Sequence, residues 1–344
     1  MNNMKKIGLS ALAGSLVAFS ANAVEVTVSG KTEVTYSGVD GVTGNKFGGG
    51  NAITFSGSGD VNGMTATYTA VIGDGGQANS NTSETFASSS LMLDMGDMGT
   101  VGFDQGVGEF GVSTIDDKMP YAYEEIWTYT GASNGLAAAG GCNVVGYKNS
   151  FAGVSLSFEF DPGHQASTTA AAGCSGDGGN SGAGTDVSGY NFALTAAVPY
   201  VEGLSVGVGR GKEDNTQTTA TSHLSTDVTY VTGYATYAAG PVTVGVQKSS
   251  ANGGSVGATS NNIDLYGVSF NVNDNFAISY NSMDNETDRT GGGTNTTEET
   301  TGIGASYTMG SASVRLLNAE TDNVGGNADK ASVEHTEISL LLAF

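Results

Sequence analysis

Apolar and polar positions alternate along most of this chain. Val24, Val26 and Val28 alternate with Glu25, Thr27 and Ser29. Val154, Leu156, Phe158 and Phe160 alternate with Ser155, Ser157 and Glu159, and Val242, Val244 and Val246 with Thr243, Gly245 and Gln247. A period of two belongs to a strand whose faces meet different surroundings. Such runs predict sixteen strands, at 24–36, 51–61, 64–72, 88–96, 99–104, 142–149, 152–160, 187–198, 203–210, 228–238, 241–248, 263–271, 275–283, 301–308, 311–319 and 333–344. The shortest is 99–104. In 228–238 and 263–271 both faces carry Tyr or Val, so either face could be the apolar one.

The connections alternate between short and long. The short ones include Asn62-Gly63, Ala239-Gly240 and Met309-Gly310. Asn-Gly is itself a hairpin-turn signal. The long ones are 37–50, 73–87, 105–141, 161–186, 211–227, 249–262, 284–300 and 320–332, rich in Gly, Ser, Thr, Asn and Asp. Seven short and eight long connections join sixteen strands into a meander with two unlike rims. This pattern predicts an all-β fold, a 16-stranded antiparallel up-and-down barrel crossing a membrane. Sixteen strands at ~4.8 Å spacing and ~45° tilt enclose a ring roughly 35 Å across, too wide for side chains to fill. The polar face must then line water and the apolar face meet lipid.

Composition agrees. Only 38% of the 344 residues are hydrophobic and 13% charged, with 54 Gly and 4 Pro. That is poor for a chain with a dry core, yet unlike a disordered one, which is rich in Pro and charge. The start, Met-Asn-Asn-Met-Lys-Lys, an apolar run from Ile7 to Phe19 and then Ala21-Asn22-Ala23, reads as a signal peptide over 1–23, with the barrel at 24–344. The apolar run is too short for a spanning helix. Export and closed β structure together place the chain in an outer membrane. Without Lys5 and Lys6, 10 of the 12 basic residues remain against 34 acidic ones. Such a balance excludes a nucleic-acid partner.

The final run, with Ile338, Leu340, Leu342 and Phe344 on one face, is similar to the terminal signal that outer-membrane assembly machinery recognises. Taken whole, the layout resembles the general diffusion porins of Gram-negative outer membranes, the sixteen-stranded, trimeric type. The third long connection carries Asp104-Gln105-Gly106-Val107-Gly108-Glu109-Phe110-Gly111 and then Asp116-Asp117-Lys118-Met119-Pro120. These stretches are similar to the porin loop that folds into the barrel and narrows it. The resemblance implies a constriction carrying Asp104, Glu109, Asp116, Asp117, Lys118, Glu124 and Glu125, held to the wall by Phe110, Met119, Tyr121, Tyr123 and Trp127. It also implies a homotrimer joined through the outer faces of the first strands, at Ile53, Phe55, Leu91, Leu93, Met95, Val101 and Phe103. Where that family faces its acidic loop with clustered Arg, this chain offers Lys31 and Glu33, with Arg315 from the far side of the closure.

Other chemistry is sparse. There is no metal-ligand spacing, nucleophile elbow or phosphate-cradling loop, and no cofactor or enzyme activity is expected. His164, His223 and His335 are scattered. Cys142 and Cys174 can pair, as exported cysteines do, or stay as thiols in loops. The acidic residues Asp284, Glu286 and Asp288, read as loop residues, can collect Ca²⁺ or Mg²⁺ or simply be solvated. Arg210 and Lys248 share parity with lipid-facing Val208 and Val246 at the outer ends of their strands, where they can bond lipopolysaccharide phosphate or equally snorkel to water. Glycines inside strands, such as Gly207, Gly209 and Gly245, read as bends of a wide barrel. The expected function is passive diffusion of small hydrophilic solutes and ions, with cations preferred. The competing readings are a channel for one solute class and a secreted acidic adhesin.

Overall fold

The computed structural model describes residues 25–73, 85–116, 118–127, 143–165, 186–215, 227–255, 258–289, 297–327 and 329–344. The expected leader, 1–23, lies outside them. Sixteen strands form one closed barrel in which each pairs antiparallel with its sequence neighbours. They are β1 (Glu25–Val39), β2 (Phe47–Val61), β3 (Met64–Gly73), β4 (Thr85–Asp94), β5 (Thr100–Gln105), β6 (Val144–Phe151), β7 (Val154–Gln165) and β8 (Asp186–Ala197). The second half holds β9 (Leu204–Asn215), β10 (Val228–Ala239), β11 (Val242–Ser255), β12 (Ala258–Asn273), β13 (Phe276–Arg289), β14 (Thr297–Met309), β15 (Ala312–Asp322) and β16 (Val333–Ala343). No helix among the described residues is long and apolar enough to cross a membrane. The strands do the crossing.

Closure joins β1 to β16 over Lys31↔Ala343 to Val39↔His335. Just past this ladder Phe344 and Gly30 exchange two backbone hydrogen bonds, at 2.7 and 2.9 Å. The Phe344 ring occupies the space where a Cβ on Gly30 would stand. Closure leaves no sheet edge whose N–H and C=O groups would go unpaired in lipid.

All sixteen strands fall where alternation puts them, but many run further toward the long-loop rim. β11 reaches Ser255, β12 begins at Ala258 and β13 reaches Arg289. The reason is that alternation reports lipid, whereas the ladder reports hydrogen bonding. Above the membrane both faces meet water, so the pattern fades while pairing continues. This corrects the placement of Asp284, Glu286 and Asp288, which stand on β13 and not in a loop. At two-residue spacing they lie roughly 7 Å apart in steps along one face, too spread to close on one ion. No group of three or more acidic, His or Cys ligands able to hold a metal occurs among the described residues.

Outward residues are large and apolar, among them Val28, Phe55, Leu91, Phe103, Val244, Tyr280 and Leu340. The two ambiguous strands resolve. On β10 Tyr230, Thr232 and Tyr234 face inward, and on β12 Ile263 and Leu265 do, with Tyr266, Val268 and Phe270 outside. The inner wall is therefore not uniformly polar. Ile263, Leu265, Met283 and Leu317 lie on it, almost fully buried, and loop 3, the connection after β5, covers them.

Candidate functional site

The described part of loop 3, up to Trp127, runs along the inside of the barrel rather than over its rim. Its base is set by Asp104, which is 2% exposed and accepts hydrogen bonds from the N–H groups of Val107 at 2.7 Å and Glu109 at 2.6 Å. The expectation that Asp104 crowds the water path is thereby corrected. Its carboxylate faces the loop's own backbone and sets the turn.

From there the loop docks through apolar side chains. Phe110 is fully buried against Gly102 and Gly146, and a Cβ on Gly146 would fall 2.0 Å from its ring. A short 3-10 turn, Gly111–Ile115, then presents Val112 and Ile115 to β8, β9 and β10, where Ala193 and Tyr230 pack on them. Gly111 adopts a positive φ of 63°, which a residue with a Cβ would resist. Its N–H donates to Ser157 Oγ at 2.8 Å, and that of Val112 to Asn191 Oδ1 at 2.8 Å. Gln247 on β11 donates to the Ile115 carbonyl at 3.1 Å.

The loop continues over β11 to β15. Pro120 sits on Gly245 and Gly267, and Ile126 on Gly302. Met119, Ile126 and Trp127 cover Ile263, Leu265, Met283, Leu317 and Ala319. Ser279 accepts from the Ala122 N–H at 2.9 Å. The inward glycines Gly102, Gly146, Gly209, Gly245, Gly267 and Gly302 thus form a track in which the loop lies. For Gly209 and Gly245 this replaces the reading as barrel bends. Gly207 instead makes room for the Tyr234 ring.

The far part of the described stretch, at Tyr123 and Glu124, meets the closure seam. Tyr123 donates from its hydroxyl to Glu33 at 3.3 Å and to Glu337. Arg315 stacks on the Tyr123 ring at 4.5 Å, pairs with Glu33, and donates to Ser339 at 3.0 and 3.2 Å. Ser339 in turn donates to Glu33. Glu124 sits among Glu337, Glu125 and Glu33. Burial first, then the charge of Glu337, pushes its carboxyl up from 4.5 to about 8. Its Oε1 is buried without a hydrogen-bond partner among the described residues. Burial and the bond to Glu337 likewise raise the Tyr123 hydroxyl, so it stays a donor.

The other expected residues are scattered around this path. Glu109 pairs with Lys148 at 2.8 Å, and Lys148 lies 5.7 Å over the Phe110 ring. Asp116 ends the 3-10 turn, and its carbonyl lies 3.5 Å from Gln247 Nε2. Lys118 lines a cavity beneath the loop. Lys31 is exposed on the inward face of β1, opposite Ala52 and Ala343. Asp117, Cys142, Cys174 and His223 lie outside the described residues. Val112, Ile115 and the glycine track went unrecognised in the sequence. Inward parity of Gly102, Gly146, Gly245 and Gly267 was the available signal.

A sequence model described as Gram-negative porin matches residues 8–334, nearly the whole chain. The chain belongs to the Gram-negative porin family. Solved structures agree in fold at low identity. The loop L8 deletion mutant of OmpT from Vibrio cholerae superposes with a TM-score of 0.68 at 14% identity, covering 94% of this chain and 100% of that one. OmpF of Salmonella typhi, in complex with daunomycin, gives 0.68 at 12% over 93% and 98%. A mutant of the Rh. blastica porin gives 0.60 at 13% over 93% and 100%. No curated protein matches at the sequence level. The porin is thus an outer-membrane channel whose lumen carries the inward loop described above.

Proposed function

We propose that this porin passes small hydrophilic solutes and ions by passive diffusion, and that it prefers cations. The observation carrying this reading is the charge at the far end of loop 3. Glu33, Glu125 and Glu337 gather there, beside a Glu124 that stays largely protonated, around one cation, Arg315, which Glu33 already neutralises. The field of that section is negative rather than divided between an acidic loop and a basic wall. Carboxylates around a water path attract cations. Since the Debye length is ~10 Å at 0.1 M and ~3 Å at 1 M, the preference should be clear in dilute salt and weak in concentrated salt. Zero-current potentials across a KCl gradient in planar bilayers test it. A potential favouring Cl⁻ would overturn it.

We further infer a homotrimer. One Vibrio cholerae OmpT structure is a trimer form. Here Ile53, Phe55, Leu91, Val101 and Phe103 make the outer face of β2, β4 and β5 broad and apolar. Three-step conductance insertions and the mass in mild detergent check this. On the opposite flank Asp264, Asp284, Glu299 and Asp322 stand side by side on β12 to β15, with Lys248 bonded to Asp264 at 2.6 Å. Divalent ions bridging them to lipopolysaccharide phosphate would relieve like charges set directly opposite one another. Chelation should then lower the thermal midpoint of the native porin in lipopolysaccharide.

A further inference from the structure

A second polar assembly lies on the inner wall, away from the seam. A cavity of about 480 Å³ opens between loop 3 and the short-turn end of β4 to β8, with Asp94, Thr100, Lys118, Lys148, Ser157 and Tyr234 in its lining. Four of these form one row across the sheet. Asp94 pairs with Thr100, Thr100 with Lys148, and Lys148 with Ser157. With ~4.8 Å between strands, Asp94 and Lys148 stand about 10 Å apart on the same face.

The charges of this cavity are partly spent. Lys148 is paired with Glu109. Lys118 has no ion-pair or hydrogen-bond partner among the described residues. Asp94 uses Oδ1 to accept the Gly96 N–H at 2.9 Å, and its other oxygen is available. Among the described residues, one cation without a partner and one carboxylate with a spare oxygen therefore face the same space. Hydroxyls surround them. Ser157 Oγ accepts from Gly111, which leaves its own proton to donate, and Tyr234 reaches Ser205 only at 3.4 Å.

We propose that this cavity is a transient binding station for small zwitterions, amino acids or short peptides, with the ligand carboxylate on Lys118 and its ammonium on Asp94. The reasoning is one of charge matching. Once Lys148 and Glu109 cancel, the cavity holds one charge of each sign and attracts neither a plain anion nor a plain cation strongly. A solute carrying both charges satisfies both residues, and its zero net charge spares it the repulsion that the acidic cluster at the closure seam imposes on anions. The inference rests on the diffusion-channel reading and narrows the class of solute that channel would retain.

The test is excess current noise through the porin in planar bilayers at 0.1 M KCl, with millimolar solute added on either side. Alanylalanine should give saturable noise. N-acetyl-alanylalanine, which lacks the ammonium, and alanylalanine amide, which lacks the carboxylate, should each bind more weakly, by about two- to fivefold, as expected for one partly exposed ion pair. Lys118→Gln and Asp94→Asn should each weaken alanylalanine binding to the same extent. The ligand series uses the unaltered protein, so a variant that fails to fold leaves the test standing. Equal or tighter binding of the acetylated peptide would reveal a plain anion site and overturn the proposal. So would steady KCl conductance with no noise from any probe. Absence of KCl conductance would instead overturn the channel reading itself.

Discussion

Two described stretches of loop 3 are held to the same wall by different means. The near stretch is fixed by Phe110, Val112 and Ile115, each fully buried, and by Asp104, which accepts hydrogen bonds from backbone N–H groups. The far end is fixed by Tyr123, Glu124, Arg315, Glu33, Ser339 and Glu337, a cluster of ionisable groups in partial contact with water. Apolar burial is indifferent to pH and dilute salt, whereas a carboxylate cluster is not. The difference teaches that the first stretch is a fixed anchor, whereas the second adds an adjustable ionisable contact to the apolar one made by Ile126 and Trp127.

The comparison breaks most severely if the near end is removed. Phe110→Ala should cost about 3–5 kcal/mol of docking free energy, as for other buried Phe truncations. Single-channel conductance and proteolysis of the loop should both rise. A smaller loss, about 1–3 kcal/mol, is expected from Gly146→Ala, because the new methyl overpacks the Phe110 ring. Increased loop cleavage with an intact barrel would read it out.

The far end should respond to pH. Glu124 is raised from 4.5 to about 8, so docking favours its protonated form. Docking is complete below the ordinary carboxyl value and weakens as pH climbs from there through about 8. Conductance noise should therefore increase between about pH 5 and pH 8, and Glu124→Gln should flatten the profile. The smallest effect belongs to Glu109→Gln. The Glu109–Lys148 pair is 31% and 39% exposed and contributes less than about 1 kcal/mol. Chemical denaturation should detect little change.

Much of this was legible. Alternation located every strand because lipid on one side and water on the other imprint period two on the sequence. It also set the parity that points Glu33, Glu337 and Arg315 at one another. It failed where both faces meet the same medium, at the upper parts of β11 to β13. It failed again on β12, where Ile263 and Leu265 face inward beneath Trp127, because a loop can supply an apolar surrounding that no local pattern announces. The role of Asp104 was hidden for a related reason. A carboxylate facing water and one bonded to backbone N–H groups are the same letter. The neutralisation of Arg315 needed three strands and a loop brought together across more than 280 positions, as its 282-residue separation from Glu33 shows.

The seam between Gly30 and Phe344 carries a consequence for how the molecule assembles. Pairing β1 with β16 closes the longest loop the chain possesses, so its entropic cost falls due after the local hairpins have formed. The far-end cluster spans that same seam, with Glu33 on β1, Arg315 on β15, and Ser339 and Glu337 on β16. Tyr123 can find its partners only once those strands are neighbours. Biogenesis then has an order written into it: hairpins first, the cylinder next, and the seating of the loop's far end last. A barrel stalled before closure would expose an unpaired edge and a loop with nowhere to rest, two features by which quality control could tell it from a finished channel.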